Sequence, residues 1–330
     1  MPMDWAEASA LVAGARRVLI VTHVGPDGDA IGSLLGLASA LRGLGKTVIT
    51  AVDEGVPPDL RFIPGADEVR ATLDGKLDGA GVDLCIAVDC GDERRMGAAG
   101  QVARQTGRPL INLDHHPTNT YFGDANLVDP QTVAAAEGVL DWLDYMQTPI
   151  DRTTAFCLLT GIVTDTLCFR TDNVTVQTLG KAQRLMALGA PLSEIVQRTV
   201  SRKTYAGLRL WQAAFPGVKL EEHVIWAVIT REMFRQSGFE GTDDDGLVST
   251  LVQVEEAYIS AVFRELPSGA VEIGFRAVPG FDTSGVAVAL GGGGHRLASG
   301  ATVQEPLATL VPRVIALLKE AVRAGAPVVA

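Results

Sequence analysis

Along the first half of the chain, short apolar runs alternate with longer stretches whose apolar positions recur every three or four residues. The segment Arg17-Val18-Leu19-Ile20-Val21-Thr22 is apolar from Val18 to Val21, the pattern of a strand covered on both faces. A loop follows, and then the spacing predicts a helix over 30–44, stopped by Gly45. Val48 to Val52, Asp83 to Asp89 and Leu110 to Leu113 read as further strands. Strands that alternate with helices predict an α/β fold, with a parallel sheet carrying helices on both faces.

The middle, from about Thr132 to Ala214, reads as mostly helical, with Ala190-Pro191-Leu192-Ser193 restarting a helix. Near Phe215-Pro216-Gly217 the character changes. Alternating strands are predicted at 223–230, 257–264 and 270–277, then a glycine run at 291–294 and a final helix over 307–324. The pattern divides the chain into an α/β domain at 1–195, a helical linker at 196–217 and a smaller α/β domain at 218–330, expected across a cleft.

Length and composition agree with this division. At 330 residues, 47% hydrophobic and 20% charged, the chain has the profile of a folded two-domain protein. No apolar run approaches the roughly 20 residues needed to span a bilayer, and residues 1–17 carry no signal-like apolar core, so a cytoplasmic location is expected. Cys85, Cys90, Cys157 and Cys168 form no CxxC pair and read as reduced core thiols. The net charge of −11 argues against a long duplex held on a broad basic face. It leaves room for a small anionic substrate, because bound cations would set the local field.

The chemistry-bearing residues stand where strands end. Thr22-His23-Val24-Gly25-Pro26-Asp27-Gly28-Asp29 follows the first strand, Asp89-Cys90-Gly91-Asp92 the third, and Asp114-His115-His116-Pro117 the fourth. In open parallel sheets ligands bind beyond the carboxyl ends of strands, so these three ends are expected to share one crevice. A further acid, Asp165, lies in an otherwise apolar helix, where a lone carboxylate is costly unless a cation or donors meet it. His23, Asp27, Asp29, Asp89, His115 and Asp165 mix imidazole with carboxylate, a set suited to manganese, cobalt or magnesium. Six such ligands can serve two cations and leave positions for water and substrate.

Each residue also has a plainer reading. His23 can cap a strand end, Pro26-Asp27-Gly28 is turn chemistry, and Asp29 can cap the following helix. Asp89 can be a loop residue, His115 and His116 can be surface residues, and Asp165 can pair with Arg170.

Taken together, these motifs resemble the DHH phosphoesterase superfamily, named for the triplet Asp114-His115-His116. His23 to Ser33, Val88 to Asp92, the triplet with Pro117 and Asn119, and Gly161 to Thr166 correspond in order to its four catalytic motifs. Gly291-Gly292-Gly293-Gly294-His295 resembles the GGGH signature of the accessory domain called DHHA1. Length and domain order are similar to the NrnA-type branch, bifunctional oligoribonucleases and phosphatases of 3′-phosphoadenosine 5′-phosphate (pAp).

The resemblance implies one metal on His23, Asp27, Asp89 and Asp165, and a second on Asp29, Asp89, His115 and Asp165, manganese first. It implies that Asp114 orients a ligating histidine and that His116 faces the substrate phosphate, so that Asp89, Asp114, His116 and Asp165 carry catalysis. It also implies that Arg276, Gly292, Gly293, Gly294 and His295 bind the nucleotide. The chain departs from the family pattern at Ala134-Ala135-Ala136-Glu137 and at Gly274-Phe275-Arg276-Ala277, neither of which contains an expected metal ligand.

Physical chemistry gives the glycine run a role of its own: glycines admit close backbone, and successive N–H groups can form an anion nest. The expected substrates are short single-stranded oligonucleotides or small nucleotides, with no membrane partner; a homodimer is compatible with the sequence. Cyclic-dinucleotide hydrolysis and a manganese pyrophosphatase are the competing activities. A RecJ-like exonuclease and a silent nucleotide sensor fit less well. Trp142, Trp211 and Trp226 read as core rather than as stacking platforms for bases.

Overall fold

A computed structural model describes residues 3–72, 79–241 and 243–326. The chain forms two compact units, Met1–Arg202 and Lys203–Ala330. The stretch 196–217 holds the end of one helix and the whole of the next, and from Lys203 onward it groups with the second unit.

In the first unit α1 (Trp5–Gly14) leads into β1 (Arg17–Val21), α2 (Gly28–Gly43), β2 (Thr47–Val52), β3 (Arg70–Ala71) and β4 (Leu84–Val88). Then come α3 (Gly97–Gln105), β5 (Leu110–Asp114), β6 (Ala125–Val128) and the helices α4 (Ala135–Tyr145), α5 (Arg152–Asp165), α6 (Val176–Ala187) and α7 (Leu192–Arg198). The sheet order is β3-β2-β1-β4-β5-β6, and every pairing is parallel. Alternate residues of β1 enter different cores: Val18 and Ile20 join Leu34, Leu41 and Leu158 on one face, while Leu19 and Val21 join Met96, Ala99 and Ala103 on the other. This two-sided burial is why the strands read as unbroken apolar runs.

From β1 the chain winds outward through β2 to β3, then returns to β4 beside β1 and winds the other way. The reversal opens a crevice between the carboxyl ends of β1 and β4. Behind it, α2 and α5 approach backbone to backbone. A Cβ on Gly32 would lie 2.6 Å from the Cys157 carbonyl oxygen, and one on Gly161 would lie 2.6 Å from Asp29 Oδ1. The two glycines therefore let the end of α5 reach the start of α2.

The second unit runs α8 (Tyr205–Ala214), β7 (Lys219–Glu221), β8 (Val224–Ile229), α9 (Arg231–Ser237), α10 (Leu247–Leu251), β9 (Ile259–Glu265), β10 (Val271–Ala277), α11 (Ser284–Ala289), β11 (Gly293–Gly294), β12 (Ala298–Val303) and α12 (Leu307–Ala324). Its sheet order is β11-β12-β10-β9-β8-β7, with β8 and β9 parallel and the other pairs antiparallel. Leu310, Val314 and Leu318 of α12 cover Phe263 and Phe275 on one face. Leu210 of α8 and Leu247 and Leu251 of α10 cover Ile225, Ala227 and Val262 on the other. Trp142 and Trp226 are buried, and the Trp142 and Trp211 indoles donate to Ser9 Oγ at 3.1 Å and to the Asp244 carbonyl at 2.9 Å, as core residues do. Among the described residues no helix is long and apolar enough to cross a membrane.

Candidate metal centre

The crevice of the first unit collects the expected residues. His23 lies two residues past β1, and its Nε2 is 3.4 Å from Asp89 Oδ2, just past β4. His115, just past β5, places Nε2 3.6 Å from Asp89 Oδ1, 3.6 Å from Asp165 Oδ2 and 3.9 Å from Asp29 Oδ2. Two triads gather the expected ligands, His23 with Asp27 and Asp89, and Asp29 with His115 and Asp165, and a third, Asp89 with Asp114 and His116, adjoins them. Within each, one ligating atom per residue lies within 4.8 Å of the others. Asp89 stands between the first two, with Oδ2 toward His23 and Oδ1 toward His115.

Local structure fixes each group. The helix expected at 30 starts at Gly28, and its cap is Asp27, whose Oδ1 accepts from the Asp29 and Ala30 N–H groups at 3.0 Å each. Asp27 is thus both a cap and a member of the first triad. Asp29 points inward, where it accepts from Ser33 Oγ and from the Ala135 and Ala136 N–H groups at the start of α4 (2.6 and 3.0 Å). Asp165 is the last residue of α5, not an interior one; its side chain is 28% exposed and opens onto the crevice. Arg170, the alternative partner, donates from Nε to the Leu167 carbonyl at 2.7 Å. Asp89 holds a left-handed φ of 57°, a region that Asp enters more readily than most residues.

Asp114 accepts from His116 Nδ1 at 2.7 Å, so the histidine it orients is the one expected to face phosphate. Its other oxygen takes a 2.6 Å bond from Asn119 Nδ2, which also reaches the Cys90 carbonyl. Burial disfavours a charged His116 ring, but the Asp114 hydrogen bond and the charges of Asp114, Asp89 and Asp165 prevail and push its pKa up to about 9. Burial likewise opposes charge on His23, and contact with Asp89 and the charge of Asp27 raise it nonetheless. Asp29 is raised well above the carboxylate range, first by burial and then by the charges of Asp89 and Asp165. For Asp89 burial acts upward, yet His23, His115 and His116 outweigh it and hold the carboxyl below its ordinary range.

These opposed shifts describe a cluster short of positive charge. Asp89 Oδ1 is buried without a hydrogen-bond partner, and its nearest imidazole nitrogens, 3.6 and 3.7 Å away, are beyond good hydrogen-bond range. A buried carboxylate oxygen left unsatisfied is costly unless a cation meets it. The donor set of imidazole nitrogens and carboxylate oxygens fits hard or borderline divalent metals.

In the second unit Arg276 lies on β10 opposite Ala298, and its Nη1 donates to the Phe275 carbonyl at 2.8 Å. The glycine run forms a built hairpin rather than a loose turn. Gly293 pairs with Gly300 and Gly294 with Ser299, and the Gly292 and His295 N–H groups donate to the Ala287 and Ala298 carbonyls at 2.8 Å each. Those two donors are spent on the end of α11 and across the hairpin, which leaves an anion nest less to work with than the sequence suggests. A Cβ on Gly292 would fall 2.0 Å from the Gly300 oxygen, and Gly294 adopts φ 128°. Glycine is therefore required by the fold of the hairpin itself. Arg276 and His295 flank the same residue, since the Ala298 N–H donates to the His295 carbonyl.

Sequence reasoning passed over two residues beside the crevice. Asp53, at the end of β2, accepts from the Ala98 and Ala99 N–H groups at 2.9 Å each and fixes the start of α3. Arg95 places Nη2 3.1 Å from His23 Nδ1. The doubled arginine at Arg94-Arg95, a few residues after a candidate ligand, was the available signal.

Residues 17–162 match the model of the DHH family, N-terminal domain. The chain is 34% identical over 301 residues to the bifunctional oligoribonuclease and PAP phosphatase NrnA of Thermus thermophilus, covering 90% of this chain and 87% of that protein. It is 29% identical over 293 residues to the protein of the same description from Bacillus subtilis, covering 87% and 89%. An exopolyphosphatase-related protein from Bacteroides fragilis shares the fold, with a TM-score of 0.88 at 22% identity over 97% of both chains.

Proposed function

Because the chain belongs to the DHH family, we propose that it is an NrnA-type phosphoesterase that hydrolyses short oligoribonucleotides to mononucleotides and pAp to AMP. It would use two divalent cations, manganese first. The observation that carries this reading is the buried, unsatisfied Asp89 Oδ1 among the imidazoles of two adjoining acid–histidine triads. Like-charged carboxylates so close together favour a site that takes up cations. The identity and names of the relatives support the choice of substrates.

His23, Asp27 and Asp89 would hold one cation and Asp29, His115 and Asp165 the other, with Asp89 beside both. When bound, the pair supplies Lewis acidity toward phosphoryl oxygens and an activated water near neutral pH. The chain's own groups do the rest. Ala135 and Ala136 hold Asp29 in place, and Asp114 keeps His116 charged and aimed. The His116 imidazolium would donate to an oxygen of the phosphoryl group and offset its developing charge. In the second unit Arg276 would fork onto a terminal phosphate or stack on a base, with His295 as a further donor and the glycine hairpin keeping the backbone close to the ligand.

The test is a panel of pAp, pApA, a pentaribonucleotide, cyclic di-AMP and pyrophosphate with manganese. The reading expects pAp and pApA to be turned over fastest. Preferential release of phosphate from pyrophosphate, or preferential opening of the cyclic dinucleotide, would replace it.

A further inference from the structure

Three arginines surround the segment that follows β4, and two of them are committed to acids. Arg94 grips Asp92 through Nε and Nη2 at 2.9 and 3.1 Å, and Arg104 binds Glu93 through Nε at 2.6 Å. Arg95 differs. Among the described residues no carboxylate lies within ion-pair distance of its guanidinium, although the chain carries a net charge of −11. Its hydrogen-bond contact is His23 Nδ1, at 3.1 Å.

That contact is a hydrogen bond only in the tautomer whose Nδ1 carries the lone pair. His23 Nδ1 also lies 3.0 Å from the Val24 carbonyl, which can only accept. With Nδ1 donating there, the ring has no lone pair left on that nitrogen for an arginine N–H, whether the imidazole is neutral or charged. The same tautomer leaves the His23 Nε2 lone pair to face Asp89 and a cation. In that tautomer an exposed guanidinium is held at the rim of the centre against a ring nitrogen that cannot accept from it.

The backbone of Arg95 is fixed even though its side chain is exposed. Its carbonyl accepts from the Val24 N–H at 2.8 Å, and its own N–H donates to the Asp92 carbonyl at 3.0 Å. Two residues on, Gly97 holds φ 57° where a Cβ would collide with Asp53 and Val24. The segment is clamped to the β1 loop, so Arg95 is poised beside the centre and only its side-chain torsions remain to adjust.

We propose that Arg95 is a substrate-binding residue of this centre, its guanidinium taking a non-bridging phosphoryl oxygen of the ester or of the product phosphate. A planar fork of donors suits that group better than a point charge. The assignment rests on the phosphoesterase reading, and it adds a protein cation on the His23 side of the crevice.

The experiment compares the manganese-loaded wild type with Arg95→Ala and Arg95→Lys. Inorganic phosphate is titrated by calorimetry, KM is measured for pApA, and manganese affinity is measured separately by electron paramagnetic resonance. Loss of a charge-assisted bond should weaken phosphate binding and raise KM by roughly ten- to a hundredfold in Arg95→Ala. Arg95→Lys should recover part of that loss, and manganese affinity should be unchanged in both variants. Unchanged phosphate affinity and KM would overturn the proposal. So would manganese affinity that falls in step with them, since Arg95 would then be serving His23. A wild type that hydrolyses no phosphoester would sink the phosphoesterase reading instead, and the phosphate titration would still decide the role of Arg95.

Discussion

In the first unit the reactive groups are carboxylates and imidazoles, most of them buried, at the carboxyl edge of a parallel sheet; in the second they are Arg276 and His295 beside a hairpin of glycines on a mixed sheet. The first arrangement concentrates negative charge where water is excluded, and it demands cations from outside the chain. The second brings backbone so close that no side chain fits at Gly292, with Arg276 and His295 flanking Ala298 beside it. Under the proposed function one unit gathers metal and the other receives phosphate, so damage to each should register in different measurements.

The largest effect is expected at Asp89, the carboxylate that stands between the two triads. Asp89→Ala should lower turnover of pApA by more than about a hundredfold, beyond the range for losing a mere supporting partner, in a steady-state assay with saturating manganese. Asp114→Asn keeps the shape but loses the charge that holds His116, and should cost about ten- to a hundredfold in kcat with manganese affinity retained. The corresponding damage in the second unit should spare kcat. Gly292→Ala forces a Cβ against the Gly300 oxygen and should destabilise that unit by about 1–3 kcal/mol and raise KM for dinucleotides, as thermal melts and kinetics can show. A fall in kcat at unchanged KM in Gly292→Ala would break the division of labour.

The smallest effect separates scaffold from both sites. Asp83 accepts from the Arg16 and Arg17 N–H groups at 2.9 Å each, which hold its carboxyl below the usual range. A lowered folded-state value stabilises above the unfolded value near about 4 and is lost as pH falls through the folded one. Asp83→Asn should therefore lower Tm slightly at pH 7, with the difference from wild type shrinking toward about pH 3 and turnover unaffected.

Much of the first unit was legible because a strand buried on both faces leaves an uninterrupted apolar signature, as at Val18 to Val21 and Leu84 to Val88. β3, two residues long, and β6, interrupted by Asn126, leave no such trace. In the second unit β12, Ala-Ser-Gly-Ala-Thr-Val, hides behind small residues whose strand character comes from pairing with β10 and the glycines rather than from hydrophobicity. The acid and histidine positions could be read because strand ends converge in such sheets. Two features could not: that Asp27 rather than Asp29 caps α2, and that Asp165 sits at a helix end. Helix ends are the least legible part of a periodic pattern, because cap and end differ by only a residue or two. Arg95 was missed for a different reason, since its meaning lies in the acid it lacks rather than in its neighbours along the chain.

Manganese binding to the metal-stripped protein, measured by calorimetry alongside electron paramagnetic resonance, tests the shared-carboxylate centre most directly. The account predicts two ions per chain, close enough to couple, with both weakened when Asp89 becomes Ala. A single ion, or two ions whose affinities ignore the loss of Asp89, would contradict it.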